Sequence, residues 1–337
     1  MKVVSSQSSG VGKSTFFFAL CAVLVALCSF AEAQQPVPNV IRMGYLGNAA
    51  PPLDQARAKA FFQALRQYGW IEGQNLIVER RYWENRADQL PTLADEFVRL
   101  NSDIIVTSSG SAASAAKGAT GTIPIVMLTS GDAVTQGIVA SLARPGGNVT
   151  GLTNISPDTN RRRLELIKEA VPKLSRVAVL GCSRTLPLGA AQWDDTQAGA
   201  LALGMQLQPV EVHGPKDIER ELSAATHKHP GALFVLDCSR IPSSKTVELA
   251  AKFRLPAIYP SARYLDAGGL MLYAPNPIDM ARRAATYVDK ILRGTKPADL
   301  PVERPATFEF VINLKAAKQI GLTIPPNVLA RAEKVIR

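Results

Sequence analysis

Two turns in this chain repeat one chemistry-bearing triplet, Cys182-Ser183-Arg184 and Cys238-Ser239-Arg240. A thiol pair of this kind can join as a disulfide in an oxidising compartment. Arg184 and Arg240 suit bidentate bonds to a carboxylate, or serve only as solvated rim. Hydroxyls cluster in Ser108-Ser109-Gly110-Ser111, just ahead of an Ala-rich helical stretch. Ser108, Ser109 and Ser111 with the free backbone N–H groups there suit an anion, and they serve equally as helix caps. Asp132 closes Thr129-Ser130-Gly131-Asp132 and either pairs with a ligand ammonium or caps the next helix. Asn48 follows the first strand-like run and offers a neutral amide. Tyr259, Tyr264, Tyr273 and Trp83 supply rings that either stack on a ligand or fill core and rim.

Catalytic chemistry finds no support in the same inspection. No Gly-x-Ser-x-Gly elbow occurs, and no carboxylate pair has metal-ligand spacing. The three histidines are His213, His227 and His229, and none falls at a strand end. Neither catalytic residues, a metal nor a cofactor is therefore expected. Gly10-Val11-Gly12-Lys13-Ser14-Thr15 imitates a phosphate-binding loop, but Gln7 stands where the pattern needs its first glycine. An apolar run follows it instead of an amphipathic helix, so nucleotide binding is not expected.

These residues need a scaffold, and the pattern supplies one. Short apolar, β-branched runs alternate with helical stretches. The first set of runs is Ile41–Leu46, Asn75–Arg80, Asp103–Thr107, Pro124–Leu128 and Val149–Thr153. Helical periodicity covers Leu53–Tyr68, Arg86–Leu100, Ser111–Lys117 and Thr135–Leu142 between them. After a helix at Thr159–Val171 the pattern restarts with Arg176–Leu180, Leu207–Val212, Ala232–Leu236, Ala257–Tyr259 and Leu270–Tyr273. Parallel neighbours need crossovers, so the chain is expected to be α/β, with two doubly wound parallel-sheet lobes joined by a hinge. Ligands of such sheets bind past the carboxyl ends of strands, which is where the residues above lie. In a sheet of order 2-1-3-4-5 the first and third strands are neighbours. Cys182 and Cys238 should then sit side by side at the cleft rim and form a disulfide.

The N-terminus reads as a secretory signal peptide over residues 1–33. Lys2 and Lys13 precede the apolar run Phe16–Phe30, and Ala31-Glu32-Ala33 supplies a small-x-small cleavage site. The run is short for a membrane span, which needs ~20 residues. Cleavage after Ala33 predicts delivery to the periplasm. The formal net charge is +10, but the basic residues are scattered, and the Arg161-Arg162-Arg163 run is followed by Glu165 and Glu169. That is a solvated surface, not a nucleic-acid footprint, and a monomer is expected.

Several stretches in order look familiar: Ile41–Gly47, Ser141–Gly151, Ala267–Met271, Tyr287–Leu292, Lys296–Glu303 and Gly321–Pro326. With them the chain resembles the ABC-transporter substrate-binding proteins related to tryptophan/tyrosine importers, which have a type I periplasmic-binding-protein fold. The resemblance implies capture of a small organic solute, an amino acid or another carboxylate-bearing molecule, for an ABC permease with its ATPase. It implies lobe 1 over 37–155 with 277–300 packed back on it, and lobe 2 over 156–276 with the 305–337 tail. Asn48 and Asp132 carry over most readily as ligand contacts. Where relatives tend to carry a Trp-Asn-Pro-like turn and a later Asp-Pro with aromatics, this chain has its two Cys-Ser-Arg turns. That departure argues for a smaller or more anionic ligand than the resemblance suggests. An exported sensing domain acting through a signalling partner, or an exported α/β hydrolase, are the competing readings.

Overall fold

The computed structural model describes residues 40–48, 52–84, 86–156, 158–185, 187–238 and 241–337. The expected signal segment, residues 1–33, and two candidate site residues, Ser239 and Arg240, lie outside them.

Strands buried on both faces read as continuous apolar runs, and the centre of the first sheet is built from such strands. It contains β1 (Ile41–Gly47), β2 (Leu76–Tyr82), β3 (Ile104–Thr107), β4 (Ile125–Met127) and β5 (Val149–Gly151). Their order is β2-β1-β3-β4-β5, all parallel. Helices α1 (Pro52–Gln67), α2 (Leu90–Arg99) and α3 (Gly110–Ala119) make the crossovers. Side chains alternate between two cores, as the strand period of two dictates. Ile104 and Val106 face a core with Phe61 and Leu65 of α1. Ile105 faces the other, with Phe97 of α2 and Ala112, Ala113 and Ala116 of α3.

The second sheet repeats this plan and extends it. It holds β6 (Arg176–Cys182), β7 (Gln206–Val212), β8 (Ala232–Val235), β9 (Ala257–Tyr259), β10 (Met271–Pro275), β11 (Phe308–Asn313) and β12 (Lys334–Ile336). The order is β12-β11-β10-β9-β8-β6-β7, with β11 antiparallel to β10. Helices α4 (Thr159–Ala170), α5 (Pro187–Ala202), α6 (Ile218–Thr226), α7 (Ser243–Lys252) and α8 (Arg263–Asp266) serve it. Ala232 and Phe234 point into one core, and Leu233 and Val235 into the other. Pro209 lies in β7, an edge strand, where a missing backbone N–H is tolerated.

The chain passes between the sheets at three places: after β5, after β10, and between Glu303 and Phe308. Helix α9 (Pro277–Leu292) follows the second passage and packs on the first sheet, its Met280, Ala281, Ala284 and Val288 joining the core of Phe61. Trp70 Nε1 donates to Asp289 Oδ1 at 2.9 Å across that contact. Residues 300–303 then edge the first sheet, where Glu303 bonds back to Gly151 and Thr153. The tail carries β11, α10 (Leu314–Gln319), α11 (Pro326–Leu329) and β12 in the second lobe.

The structure departs from the periodicity over Thr135–Leu142, which forms successive turns instead of a helix. Asp132 takes up the N–H groups of Val134 and Thr135, and Gly137 adopts φ +68°. This left-handed residue breaks helical propagation. Gly151, at the end of β5, has φ +125°, and a Cβ there would lie 2.3 Å from Met127 O. Only glycine fits between β4 and β5 at that point.

Candidate functional site

The three passages and the carboxyl ends of β4, β8, β9 and β10 enclose a cavity of about 340 Å³ between the lobes. Its size falls within the range of small-molecule sites. Asn154, Ile155 and Ser156 enter from the first passage, Pro275 from the second and Arg304 from the third. Helix α4 presents Thr159, Asn160 and Arg163, and α5 presents Ala191, Gln192 and Asp195. Past the strand ends stand Asp132, Asp237 and Pro260, and Tyr273 of β10 completes the wall.

Arg163 is the unusual member. It lies on the same stripe of α4 as Ile167 and Ala170 and is only 2% exposed. Its Nη2 donates to Val235 O and, at 3.3 Å, to Ile258 O, which tethers the ends of β8 and β9. Nη1 donates to Asn160 Oδ1 at 3.2 Å, and the guanidinium lies 4.2 Å from the centre of the Phe234 ring. Its Nε has no hydrogen-bond partner. Burial pulls the Arg163 pKa down to about 9, and the Asp237 carboxylate opposes that fall. The group therefore remains a cation at neutral pH.

Asp237 connects both lobes. The Gln192 side-chain amide pairs with its backbone, donating to Asp237 O and accepting from Asp237 N, both at 3.0 Å. Its carboxylate accepts from Asn154 Nδ2 at 3.3 Å. Asn154 is held from the first lobe by its own N–H, which donates to Ser130 O at 2.8 Å. Asn154 Oδ1 is buried without a partner. Desolvation raises the Asp195 pKa, against a hydrogen bond from Asn160 that lowers it. The Tyr273 ring stacks on Phe308 with centroids 5.2 Å apart and planes 6° from parallel, and burial raises its pKa.

Among the described residues the wall thus carries three carboxylates and two guanidiniums amid apolar surface. Charges of both signs on one cavity wall suit a zwitterion or a carboxylate with a polar substituent. No histidine lines the cavity, and the described residues contain no cluster of three potential metal ligands.

The residues singled out by spacing are distributed unevenly about this cavity. Asp132 and Tyr273 line it. Both Asp132 oxygens are engaged in its turn, Oδ1 by Val134 N and Thr135 N and Oδ2 by Thr135 Oγ1 at 2.7 Å. Ser109 caps α3, accepting from Ala112 N at 3.2 Å, while Ser108 is buried and its Oγ accepts from Asn48 N at 3.1 Å. Ser111 is exposed on α3. Cys182 and Cys238 form a disulfide with Cα atoms 5.7 Å apart, joining the ends of the neighbouring β6 and β8. Ser183 bonds to Thr185 and Glu211, and Arg184 is taken by Glu211, with Nε to Oε1 at 2.5 Å. Arg184 also covers the Trp193 ring. Tyr259 is core, stacked on Tyr264 at 4.8 Å, with its pKa raised by burial. Trp83 packs against the core of the first lobe.

Spacing did not single out Arg163, Asn160, Gln192, Asp195, Asp237 or Arg304. Two signals for them were present. Arg163 is an ionisable residue on the apolar stripe of its helix, and Asp237 immediately precedes the second Cys-Ser-Arg triplet.

Known proteins resemble the chain over most of its length. A tyrosine-binding protein of Clostridioides difficile is 26% identical over 275 residues, 81% of this chain and 78% of that protein. A structure from Streptococcus pneumoniae, an ABC domain in complex with L-Trp, superposes with TM-score 0.80 at 25% identity, covering 88% of this chain and 100% of the other. A conserved domain protein from Vibrio cholerae gives TM-score 0.79 at 26% identity, with the same coverage. The family profile described as ABC transporter substrate binding protein matches residues 50–336, and with the two-lobed fold and its interlobe cavity this makes the chain a member of that family.

Proposed function

We propose that the protein, exported through its N-terminal segment to the periplasm, captures an α-amino acid in the interlobe cavity and presents it to an ABC permease with its ATPase. The family is a class of substrate-binding proteins, not enzymes. The observation that carries the amino-acid reading is the cavity wall itself, with Arg163 and Arg304 set against Asp132, Asp195 and Asp237. A ligand with one carboxylate and one ammonium can satisfy both signs, whereas a simple anion leaves the carboxylates opposed to it. Relatives named or crystallised for tyrosine and L-Trp support the class. Tyr273, Pro260, Pro275 and Ile155 give an apolar surface for a side chain.

Because all three passages border the cavity, a ligand there touches both lobes and the links between them. Its binding energy then favours the closed arrangement, as in hinge closure. The test is a melting-temperature screen of the mature protein with amino acids and small carboxylates. A ligand of the folded state at a hundredfold excess over Kd adds about 2.7 kcal/mol. At ~2.1 cal/mol/K per residue for roughly 300 residues, that raises the midpoint by about 4 °C. Absence of a shift across the twenty amino acids, with hits among other solutes, contradicts the reading.

A further inference from the structure

The parallel ladder between β6 and β8 stops short of the cavity. Its last paired residues are Leu180 and Val235, and its last hydrogen bond runs from Leu236 N to Leu180 O at 2.8 Å. Asp237 and Cys238 lie beyond that bond, so the sheet alone does not fix Asp237, whose side chain lines the cavity. Two hydrogen bonds of 3.0 Å join its backbone to the Gln192 amide, and Asn154 Nδ2 reaches its carboxylate at 3.3 Å. Cys182 is placed differently. It ends β6 and still pairs in register with Val212 of β7. The disulfide, with Cα atoms 5.7 Å apart, therefore ties the turn after β8 to a strand end that the sheet does fix.

The same anchor seats the neighbouring wall. A Cβ on Gly189 would lie 2.3 Å from Ser183 O and 3.1 Å from Cys182 O. Helix α5 thus begins in contact with the Cys182 turn, and from there it carries Gln192 and Asp195 to the cavity. On the far side, Cys238 O accepts from Arg263 Nη2 at 3.1 Å and from Ile241 N at 3.2 Å. Cys238 is thereby the point at which α8, the approach to α7 and the end of β6 all hold the turn that bears Asp237.

We infer that Cys182 and Cys238 are positioning residues of the ligand cavity: their disulfide holds Asp237 and Gln192 in place, so affinity depends on the oxidation state of the pair. This rests on the amino-acid reading of the cavity. With the cross-link open, an amino acid must order both side chains as it binds, which costs affinity. Linkage makes the effect reciprocal, and a bound amino acid favours the disulfide by the same factor. Opening needs a dithiol reductant. One of its thiolates attacks a protein sulfur to give a mixed disulfide, and its second thiolate closes the reductant's own disulfide. Two electrons pass to the protein, and the two protons given up by the dithiol end on Cys182 and Cys238. Cys182 is half-buried and Cys238 is buried, so attack falls on Cys182 and Cys238 is the first to leave.

Calorimetric titration with the tightest binder among the twenty amino acids tests this. Wild type and Asp237→Asn are each titrated oxidised and after reduction with excess dithiothreitol, well below the melting midpoint of each form. Reduction should weaken binding to the wild type about tenfold or more, as expected for two side chains that must be ordered on binding. In Asp237→Asn it should weaken binding by less than about twofold, because the cross-link acts through the carboxylate that this variant lacks. Cys182→Ala combined with Cys238→Ala, titrated without reductant, should repeat the wild-type loss. In a dithiol buffer at equilibrium, saturating amino acid should lower the ratio of reduced to oxidised protein by the same factor. An unchanged Kd on reduction overturns the positioning role while the cavity keeps its amino acid. A loss of equal size in both backgrounds does the same, since it marks a general loosening of the lobe. Unfolding of both the reduced protein and the double alanine variant, read by circular dichroism, also overturns it, because the cross-link then serves the whole fold. Failure of every amino acid to bind removes this inference and the cavity reading together.

Discussion

Replacing Asp237 by asparagine probes the cavity with little change of shape. Asparagine keeps an oxygen able to accept from Asn154 Nδ2, and the Gln192 pairing uses only the backbone of residue 237. What is lost is the charge. A hydrogen bond from a ligand ammonium to a carboxylate contributes roughly 1.5–3 kcal/mol, so Kd should rise about 12- to 160-fold. A second effect follows from Arg163, whose pKa the Asp237 carboxylate supports. Removing that support makes the buried cation costlier, and the unliganded variant should lose about 1 kcal/mol of stability. Isothermal titration with the amino acid identified by screening measures the first effect, and a denaturant melt without ligand measures the second. A Kd within twofold of wild type, in a variant that melts normally, refutes the assignment of Asp237 to the ligand ammonium.

Three further outcomes follow from the structure. Reduction of Cys182–Cys238, which closes a loop with sequence separation 56, should cost up to about 4 kcal/mol by chain entropy; a melting midpoint unchanged by reductant contradicts this. Burial pulls the folded-state pKa of Arg163 down to about 9, well below the ordinary arginine range, so the penalty for burying its charge is full below pH 9 and is relieved as pH rises through it. Relative to Arg163→Met, wild-type stability should therefore gain about 1 kcal/mol between pH 8 and 10, read from denaturant midpoints at both values; a flat or falling difference opposes the assignment. Gly151→Ala, whose new Cβ would meet Met127 O, should destabilise by more than about 3 kcal/mol, and soluble protein with an unchanged melting point would show that β4 and β5 can separate there.

The layered fold was legible because buried parallel strands announce themselves. Ile104–Val106 and Ala232–Val235 are apolar end to end and buried throughout. Alternation with helices then leaves few topologies, and both sheets contain the 2-1-3-4-5 order that set Cys182 beside Cys238. The turns at Thr135–Leu142 were not legible, since helical spacing there competes with Asp132 capping and a left-handed Gly137. No periodicity encodes the passages between lobes. They are set by packing between residues far apart in sequence, such as Trp70 with Asp289 and Thr150 with Leu300.

Reasoning from strand ends pointed to the ends of the sheets that border the interlobe cavity, where Asp132 and Tyr273 lie. It gave equal weight to residues whose polar atoms are engaged elsewhere, such as Ser109 in a cap and Arg184 with Glu211. Spacing does not reveal which partner a side chain will find. Arg163 was obscured for a related reason. Three consecutive arginines read as surface, yet Arg161 and Arg162 pair with Glu165 while Arg163 turns inward along the apolar stripe.

The central claim is that the interlobe cavity holds an amino acid between opposed charges. A crystal structure of the mature protein grown with the tightest amino acid from the screen tests it most directly. The account predicts ligand density in the cavity bordered by Asn154, Arg163 and Asp237, with the ammonium within hydrogen-bond distance of a cavity carboxylate. Density elsewhere, or a ligand without an ammonium held in the same place, would contradict it.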